Sequence, residues 1–266
     1  MAVQERPTLW VAKIGGAIMD MPDALQRFLK TFSALNGPRV LVHGGGKQAT
    51  DLAEHMGISV KMVKGRRITD RDMLDVVTMI YGGLVNKTIV ARLNGLGTPA
   101  VGLTGADNQL ILAHRRPPTP IDFGFVGDID RVNHTFLYHS LEQKITPVIA
   151  PLTVTAEGQL LNTNADTIAT EVAIALTQSF TVHLVLCLDR RGVLRNAEAP
   201  DSVIPVLSFA DYQQLKYQGH IHSGMIPKLD NAFRAMNLGV REVRVCHFNQ
   251  FSAVTEGQPA GTQLKR

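Results

Sequence analysis

The chain is poor in the features that mark secreted, membrane-spanning or metal-dependent proteins. Its 266 residues include two cysteines, Cys187 and Cys246, which excludes a disulfide framework and a zinc site built on thiolates. Both lie in apolar, strand-like runs, Val182–Leu188 and Val243–Cys246, the setting of small buried core residues. No apolar run approaches the roughly 20 residues that a membrane helix needs. Met1–Pro7 has no apolar core of the kind a secretory signal carries, so a cytoplasmic location is expected and no membrane partner. Internal repeats, low-complexity tracts and flexible linkers are missing too. The formal charge of +4 is mild and its basic residues are scattered rather than striped. That argues against nucleic acid and for a small anionic ligand. No Gly-x-x-x-x-Gly-Lys-Ser/Thr loop exists, which excludes a P-loop nucleotide site. None of the histidines, His43, His220 and His222 included, is spaced for a metal site or a nucleophilic triad.

What the chain does have is alternation. Leu9–Ile14 reads as a buried strand, followed by Leu25, Phe28, Leu29, Phe32 and Leu35 at helical spacing. Val40–His43 is a second strand, and Ala49, Leu52, Ala53 and Met56 mark the helix after it. A long helical stretch runs from about Asp70 to Leu93, and Ala100–Leu103 is a strand again. Leu110 to Val132 reads as a hairpin excursion. Strands at Pro147–Ala150, Val182–Leu188 and Glu242–Cys246 alternate with helices at about Asp166–Leu176 and Lys228–Asn237. Such alternation predicts an α/β fold, a three-layer α-β-α sandwich around a mainly parallel sheet, with ligands beyond the carboxyl ends of the strands.

Two strand-to-helix junctions carry consecutive glycines: Lys13-Ile14-Gly15-Gly16 and His43-Gly44-Gly45-Gly46. Backbone without side chains lets N–H groups approach a phosphate, and a following helix N-terminus adds positive potential. Gly44-x-Gly46-x-x-Ala49 also satisfies a dinucleotide-binding pattern. That pattern wants an acidic residue about 20 positions on, at the end of the next strand. Lys64-Gly65-Arg66-Arg67 stands there instead, in no strand-like run. Phosphoryl transfer needs positioning and positive charge rather than covalent help. Lys13, before the first glycine pair, and Lys228, at a helix start after Ser223-Gly224-Met225-Ile226-Pro227, are placed to supply that charge. Asp166 has a plain reading as a first-turn helix acid and a sharper one as the anchor of both ammoniums.

In order and spacing these stretches resemble the amino-acid kinase family, in its acylglutamate-phosphorylating branch, over nearly the whole chain. The similarity is carried by Lys13–Gly16, Val42–Gly46, Gly65–Asp70, Gly83–Lys87, Gly102–Gly105 with Asp107, Gly124–Ile129, Glu157–Asp166 and Gly224–Lys228. It implies MgATP-dependent phosphorylation of the side-chain carboxylate of an N-acylglutamate, in arginine biosynthesis. By position, Lys13 and Lys228 would stabilise the phosphoryl group in flight and Asp166 would organise them. Backbone N–H groups of Gly15, Gly16, Gly44 and Gly45 would bind phosphoryl oxygens and place the acceptor. Arg67 would hold the substrate α-carboxylate and Asn162 the acylated amino-acid moiety, while Asp189, Gly192 and Gly224 would border the ATP site. Mg²⁺ would ride on the ATP phosphates without a protein ligand. Residues 1–176 would form the substrate-binding and dimerisation lobe and 177–266 the ATP lobe of one continuous domain. The short segment before the first strand implies a homodimer rather than an arginine-inhibited hexamer.

The pattern is departed from at Asp189-Arg190-Arg191-Gly192, at Ala150-Pro151-Leu152-Thr153, and at Arg66, where an apolar residue is common. Arg66 could pair with the extra carboxylate of a succinyl group in place of acetyl, or face solvent. The alternatives are a kinase of the same fold acting on aspartate, glutamate, carbamate or a nucleoside monophosphate, and a non-catalytic ligand sensor.

Overall fold

The protein is described by a computed structural model covering residues 6–63, 65–196, 198–221 and 224–266. Lys64, His222 and Ser223 lie outside the described residues.

The chain opens with β1 (Thr8–Ile14), α1 (Pro22–Ser33), β2 (Arg39–His43) and α2 (Gly46–His55). A hairpin of two-residue strands follows, β3 (Met62–Val63) and β4 (Arg66–Arg67). The sequence had offered no strand there, because two residues are too few to show a period. The long helix is α3 (Arg71–Val77), a π-helical stretch (Thr78–Val85) and α4 (Asn86–Gly95). It is long and apolar enough to cross a membrane by length and composition, yet half of its most apolar window is buried inside the protein. Next come β5 (Ala100–Leu103), β6 (Ile111–Arg115), β7 (Gly127–Val132) and α5 (His134–Glu142). Then follow β8 (Thr146–Ile149), β9 (Leu152–Val154), β10 (Leu160–Asn162), α6 (Ala165–Leu176) and β11 (Thr181–Leu188). The chain closes with β12 (Val206–Ser208), α7 (Phe209–Tyr217), α8 (Ile226–Asn237), β13 (Glu242–His247), α9 (Phe251–Thr255) and β14 (Thr262–Lys265).

One eight-stranded sheet runs in the order β12-β14-β13-β11-β1-β2-β8-β5. It is parallel except where β14 meets β13. Helices cover both faces, which gives the three-layer α-β-α architecture. Strand alternation assigns side chains to faces. Leu9 and Val11 of β1 pack with α6 and α8, whereas Ala12 and Ile14 pack with α1, α2 and the long helix. Lys13 therefore points to the α6 face. Cys187 and Cys246 are register neighbours on β11 and β13, both buried free thiols. The hairpin read between Leu110 and Val132 is β6 with β7, which join β9 and β10 in a second, four-stranded sheet over the carboxyl ends of the main one. Ile221, beside His220, is 4% exposed and belongs to the core.

Candidate functional site

β1 lies between β11 and β2, so its carboxyl end is central. Lys13 is the penultimate residue of the strand and Gly15-Gly16 leave it. Beside it, β2 ends at His43 and Gly44–Gly46 open α2. The two glycine loops face each other closely. A Cβ on Gly16 would stand 3.3 Å from the Gly46 nitrogen and 3.4 Å from that of Gly45. A Cβ on Gly44 would be 3.2 Å from the Gly16 nitrogen. Side chains here would close the gap between the loops, so glycine is demanded by proximity. The Gly44 N–H already donates to the Ile14 carbonyl at 2.9 Å. Binding an anion therefore falls to neighbouring N–H groups, among them those of Gly45 and Gly46 at the start of α2, which have no intrahelical acceptor.

Asp166 enters from the first turn of α6. The helix is capped by Asn164, whose side chain accepts from the Asp166 and Thr167 N–H groups at 2.7 and 3.3 Å. Asp166 is thus free of capping work. Its carboxylate is 4% exposed and lies between two ammoniums: Lys13 Nζ is 2.7 Å from Oδ1, and Lys228 Nζ donates to Oδ2. Burial alone would raise the Asp166 pKa, but the Lys13 and Lys228 charges override it and hold the carboxyl below the usual range. Lys228 reaches the site from the first turn of α8, where Pro227 occupies an early helical position. Three residues far apart in sequence form one cluster, two ammoniums around a single carboxylate and so net positive, beside the glycine loops.

The remaining sequence-predicted residues fall into two groups. Arg67 is 9% exposed and sits beneath the start of α2, its Nη2 donating to the Gly46 carbonyl and to Thr50 Oγ1, both at 2.8 Å. Tyr81, on the π-helical stretch, packs so close to Gly45 that a Cβ there would meet the ring at 2.8 Å. Burial raises the Tyr81 pKa, and Arg67 beside its hydroxyl opposes the shift. Asn162 Nδ2 donates to Thr69 Oγ1 at 3.0 Å, and its N–H to the Phe125 carbonyl at 2.9 Å. Phe125 in turn donates to Thr69 at 2.7 Å. The stretches around Arg67, Phe125 and Asn162 therefore converge on one wall. Arg66 is exposed beside Arg116, which grips Asp128 through Nε at 3.1 Å and Nη2 at 2.5 Å.

On the other side, Asp189 is exposed beyond β11 and Gly224 is exposed ahead of α8. Gly192 is buried against β14, where a Cβ would come 2.7 Å from Thr262 Oγ1. Packing accounts for that glycine. Arg191 pairs at 3.1 Å with the exposed Asp201. Thr153 turns inward to Thr163 Oγ1 at 2.8 Å. Sequence reasoning gave no role to Tyr81, Thr50, His43 or Asn86, although His43 and Asn86 lie inside Val42–Gly46 and Gly83–Lys87, two of the stretches that carry the family similarity. Among the described residues no group of three or more His, Cys, Asp or Glu side chains could hold a metal ion. Both oxygens of Asp166 are occupied by ammoniums, so a Mg²⁺ fits here only on the phosphates of a nucleotide. A separate cavity of about 720 Å³ opens at the opposite, amino ends of the strands, near Pro38, Pro99 and Phe180, and touches none of these residues.

Comparison with known proteins matches residues 8–247 to the amino acid kinase family. The acetylglutamate kinase of Cytophaga hutchinsonii is 50% identical over 258 residues, covering 96% of this chain and 98% of that one. That of Methanopyrus kandleri is 38% identical over 236 residues, 87% of this chain and 92% of its own. Among solved structures, smu.665 from Streptococcus mutans UA159 superposes with a TM-score of 0.77 at 28% identity, covering 97% and 98% of the two chains. Carbamate kinase from Giardia lamblia shares the fold, with a TM-score of 0.73 at 12% identity over 98% and 99% of the chains.

Proposed function

The chain belongs to the amino acid kinase family, and from that premise we infer that it transfers the γ-phosphoryl group of ATP to the side-chain carboxylate of N-acetyl-L-glutamate, a step of arginine biosynthesis. The observation that carries the reading is the buried Asp166 held between Lys13 and Lys228 at the mouth of two facing glycine loops.

In this reading the acceptor carboxylate is already ionised near pH 7, so no general base is needed. One carboxylate oxygen attacks the γ-phosphorus, the bond to the β-γ bridging oxygen breaks, and ADP leaves while an acyl phosphate forms. Lys13 and Lys228 face the oxygens on which negative charge spreads, and Asp166 fixes where both ammoniums point. N–H groups of Gly15, Gly16 and Gly45 line the same oxygens, while Gly44 shapes the loop that receives the acceptor. Arg67, braced by Gly46 and Thr50, offers a planar fork to the α-carboxylate, and Asn162 meets the acylated amide. The nucleotide lies over residues 177–266, near Asp189, Gly192 and Gly224, and the acceptor over residues 1–176. Mg²⁺ on the ATP phosphates supplies further charge neutralisation when bound. A cytoplasmic homodimer is part of the proposal. Met79, Leu84 and Val101 expose apolar side chains on the long helix and on β5, the edge strand of the main sheet, and a second copy would cover them.

An ADP-release assay with MgATP and N-acetyl-L-glutamate, with hydroxylamine to trap the acyl phosphate, tests the reaction. Turnover that is lost in Lys13→Ala and Lys228→Ala is expected. ATP binding without turnover on this acceptor would overturn it. Running N-succinyl-L-glutamate in parallel decides whether Arg66 and Arg116 accept an added carboxylate.

A further inference from the structure

β2 ends on a histidine with no route to solvent. His43 is 0% exposed and Asn86, which faces it from the start of α4, is 1% exposed. Two buried polar side chains at the centre of a fold are costly unless their hydrogen bonds are complete, and an apolar pair would fill the space with less desolvation. Here the bonds form a directed relay. His43 Nδ1 lies 2.7 Å from the Gly44 carbonyl oxygen. A carbonyl only accepts, so Nδ1 carries the proton and Nε2 is left as the acceptor. Asn86 Nδ2 fills that role at 3.1 Å and gives its second hydrogen to the Val148 carbonyl at 2.9 Å. Lys87 Nζ bridges Asn86 Oδ1 at 3.3 Å to the Gly102 carbonyl at 3.2 Å. A Cβ at Gly102 would collide with Asn86 Oδ1, so β5 makes room for the amide.

The relay ends on the Gly44–Gly45 peptide. In a trans peptide the carbonyl and the next N–H point in opposite directions. Holding the Gly44 carbonyl toward His43 therefore turns the Gly45 N–H away from it. The Gly45 nitrogen lies against Gly16 of the facing loop. We propose that His43 and Asn86 are positioning residues for phosphoryl transfer, fixing the Gly44–Gly45 peptide so that the Gly45 N–H is aimed into the gap between the loops. The proposal rests on the kinase reading of this site. His43 never touches substrate; it acts through a peptide plane.

Two substitutions of similar polarity separate this role from core filling. In His43→Asn the amide nitrogen occupies about the place of Nδ1 and can still donate to Gly44. In His43→Gln the amide reaches the place of Nε2 and leaves that carbonyl unheld. With MgATP and N-acetyl-L-glutamate, His43→Asn should keep kcat within about threefold of the native protein, whereas His43→Gln should lose about 10²-fold with little change in KM for ATP. Gly102→Ala, remote from both loops, should lower kcat in the same way by displacing Asn86. Equal activity of the Asn and Gln variants, or losses confined to KM, would overturn the proposal. A second measurement needs no variant. ¹⁵N NMR of the histidine rings in the native protein should find His43 protonated at Nδ1 alone near pH 7, and protonation at Nε2 would overturn the relay. Failure of the native protein to turn over the acceptor would overturn the kinase reading, and the ring tautomer would still judge the relay.

Discussion

Replacing Asp166 by asparagine keeps its size and removes the one negative charge between Lys13 and Lys228. The side chains of Asp166 and Lys13 are 5% and 8% exposed, so water has little access to make up the loss. Removing one partner of a buried ion pair costs about 3–5 kcal/mol. Lys228, at 27% exposure, can lean toward solvent. That places the expected loss at the lower end, about 3 kcal/mol, or about 6–12 °C in Tm for a chain of this size. Catalysis should suffer separately. Without a common anchor the ammoniums repel, and misaiming groups that meet transition-state charge typically costs about 10²–10³ in kcat. The KM for ATP should hardly rise, because the phosphates themselves restore negative charge between the lysines. Nucleotide should for the same reason raise the Tm of the variant more than that of the native protein. Steady-state kinetics with hydroxylamine trapping, beside thermal melts with and without MgATP, measure all of this. A variant with native kcat and native Tm would refute the account of the cluster.

Arg67→Lys should raise KM for the acylglutamate about tenfold or more with a smaller effect on kcat, because a point charge cannot replace a planar fork braced by Gly46 and Thr50; initial-rate kinetics over acceptor concentration check it. Gly45→Ala should lower kcat by about 10-fold or more, since the new Cβ would meet the Tyr81 ring at 2.8 Å and shift an N–H that the proposed mechanism turns to the phosphoryl group; native kcat in that variant would remove the role of the close packing. Stability should depend on pH through His43, whose imidazole is pulled by burial from 6.5 to about 4. Between those values the unfolded chain binds a proton that the native protein excludes. This contribution is whole above pH 6.5 and is lost as pH falls toward 4, by about 1.4 kcal/mol per unit and about 3 kcal/mol in all. Urea midpoints of the native protein and His43→Asn at pH 7, 5.5 and 4.5 should converge as pH falls, and parallel trends would exclude His43 as the source.

The α/β alternation was legible because buried parallel strands such as Val182–Leu188 are apolar at every position but His183, while α1 repeats its apolar face every three or four residues. Lys13, Asp166 and Lys228 could be singled out because each stands beside a glycine or a helix start. Their meeting is a fact of topology: β1 exposes Lys13 toward α6, and α6 and α8 pack on that same face. What stayed hidden depends on contacts between distant segments. The Gly45–Tyr81 approach, the His43–Asn86 pair and the seat of Gly192 on Thr262 leave no periodic trace. The β3–β4 hairpin is too short to register, and the π-helical stretch keeps the same apolar composition as the α-helix around it. Asn164 has the residue type of an N-cap and serves as that of α6, which leaves Asp166 free of the duty.

The neighbours of β1 in the sheet are β2, which follows it at once, and β11, whose Thr181 aligns with Thr8. During translation one edge of this strand finds its partner early, while the other waits for most of the chain to be made. At about 5–20 residues per second that wait is about 10–30 s. Through it one edge of a largely apolar strand, Thr8–Ile14, is open to any passing strand. The ribosome thus delivers Lys13 early, the strand that closes its open edge much later, and Lys228 later still. Nascent chains of this protein should therefore need a holding chaperone until β11 has emerged, whatever the stability of the finished fold.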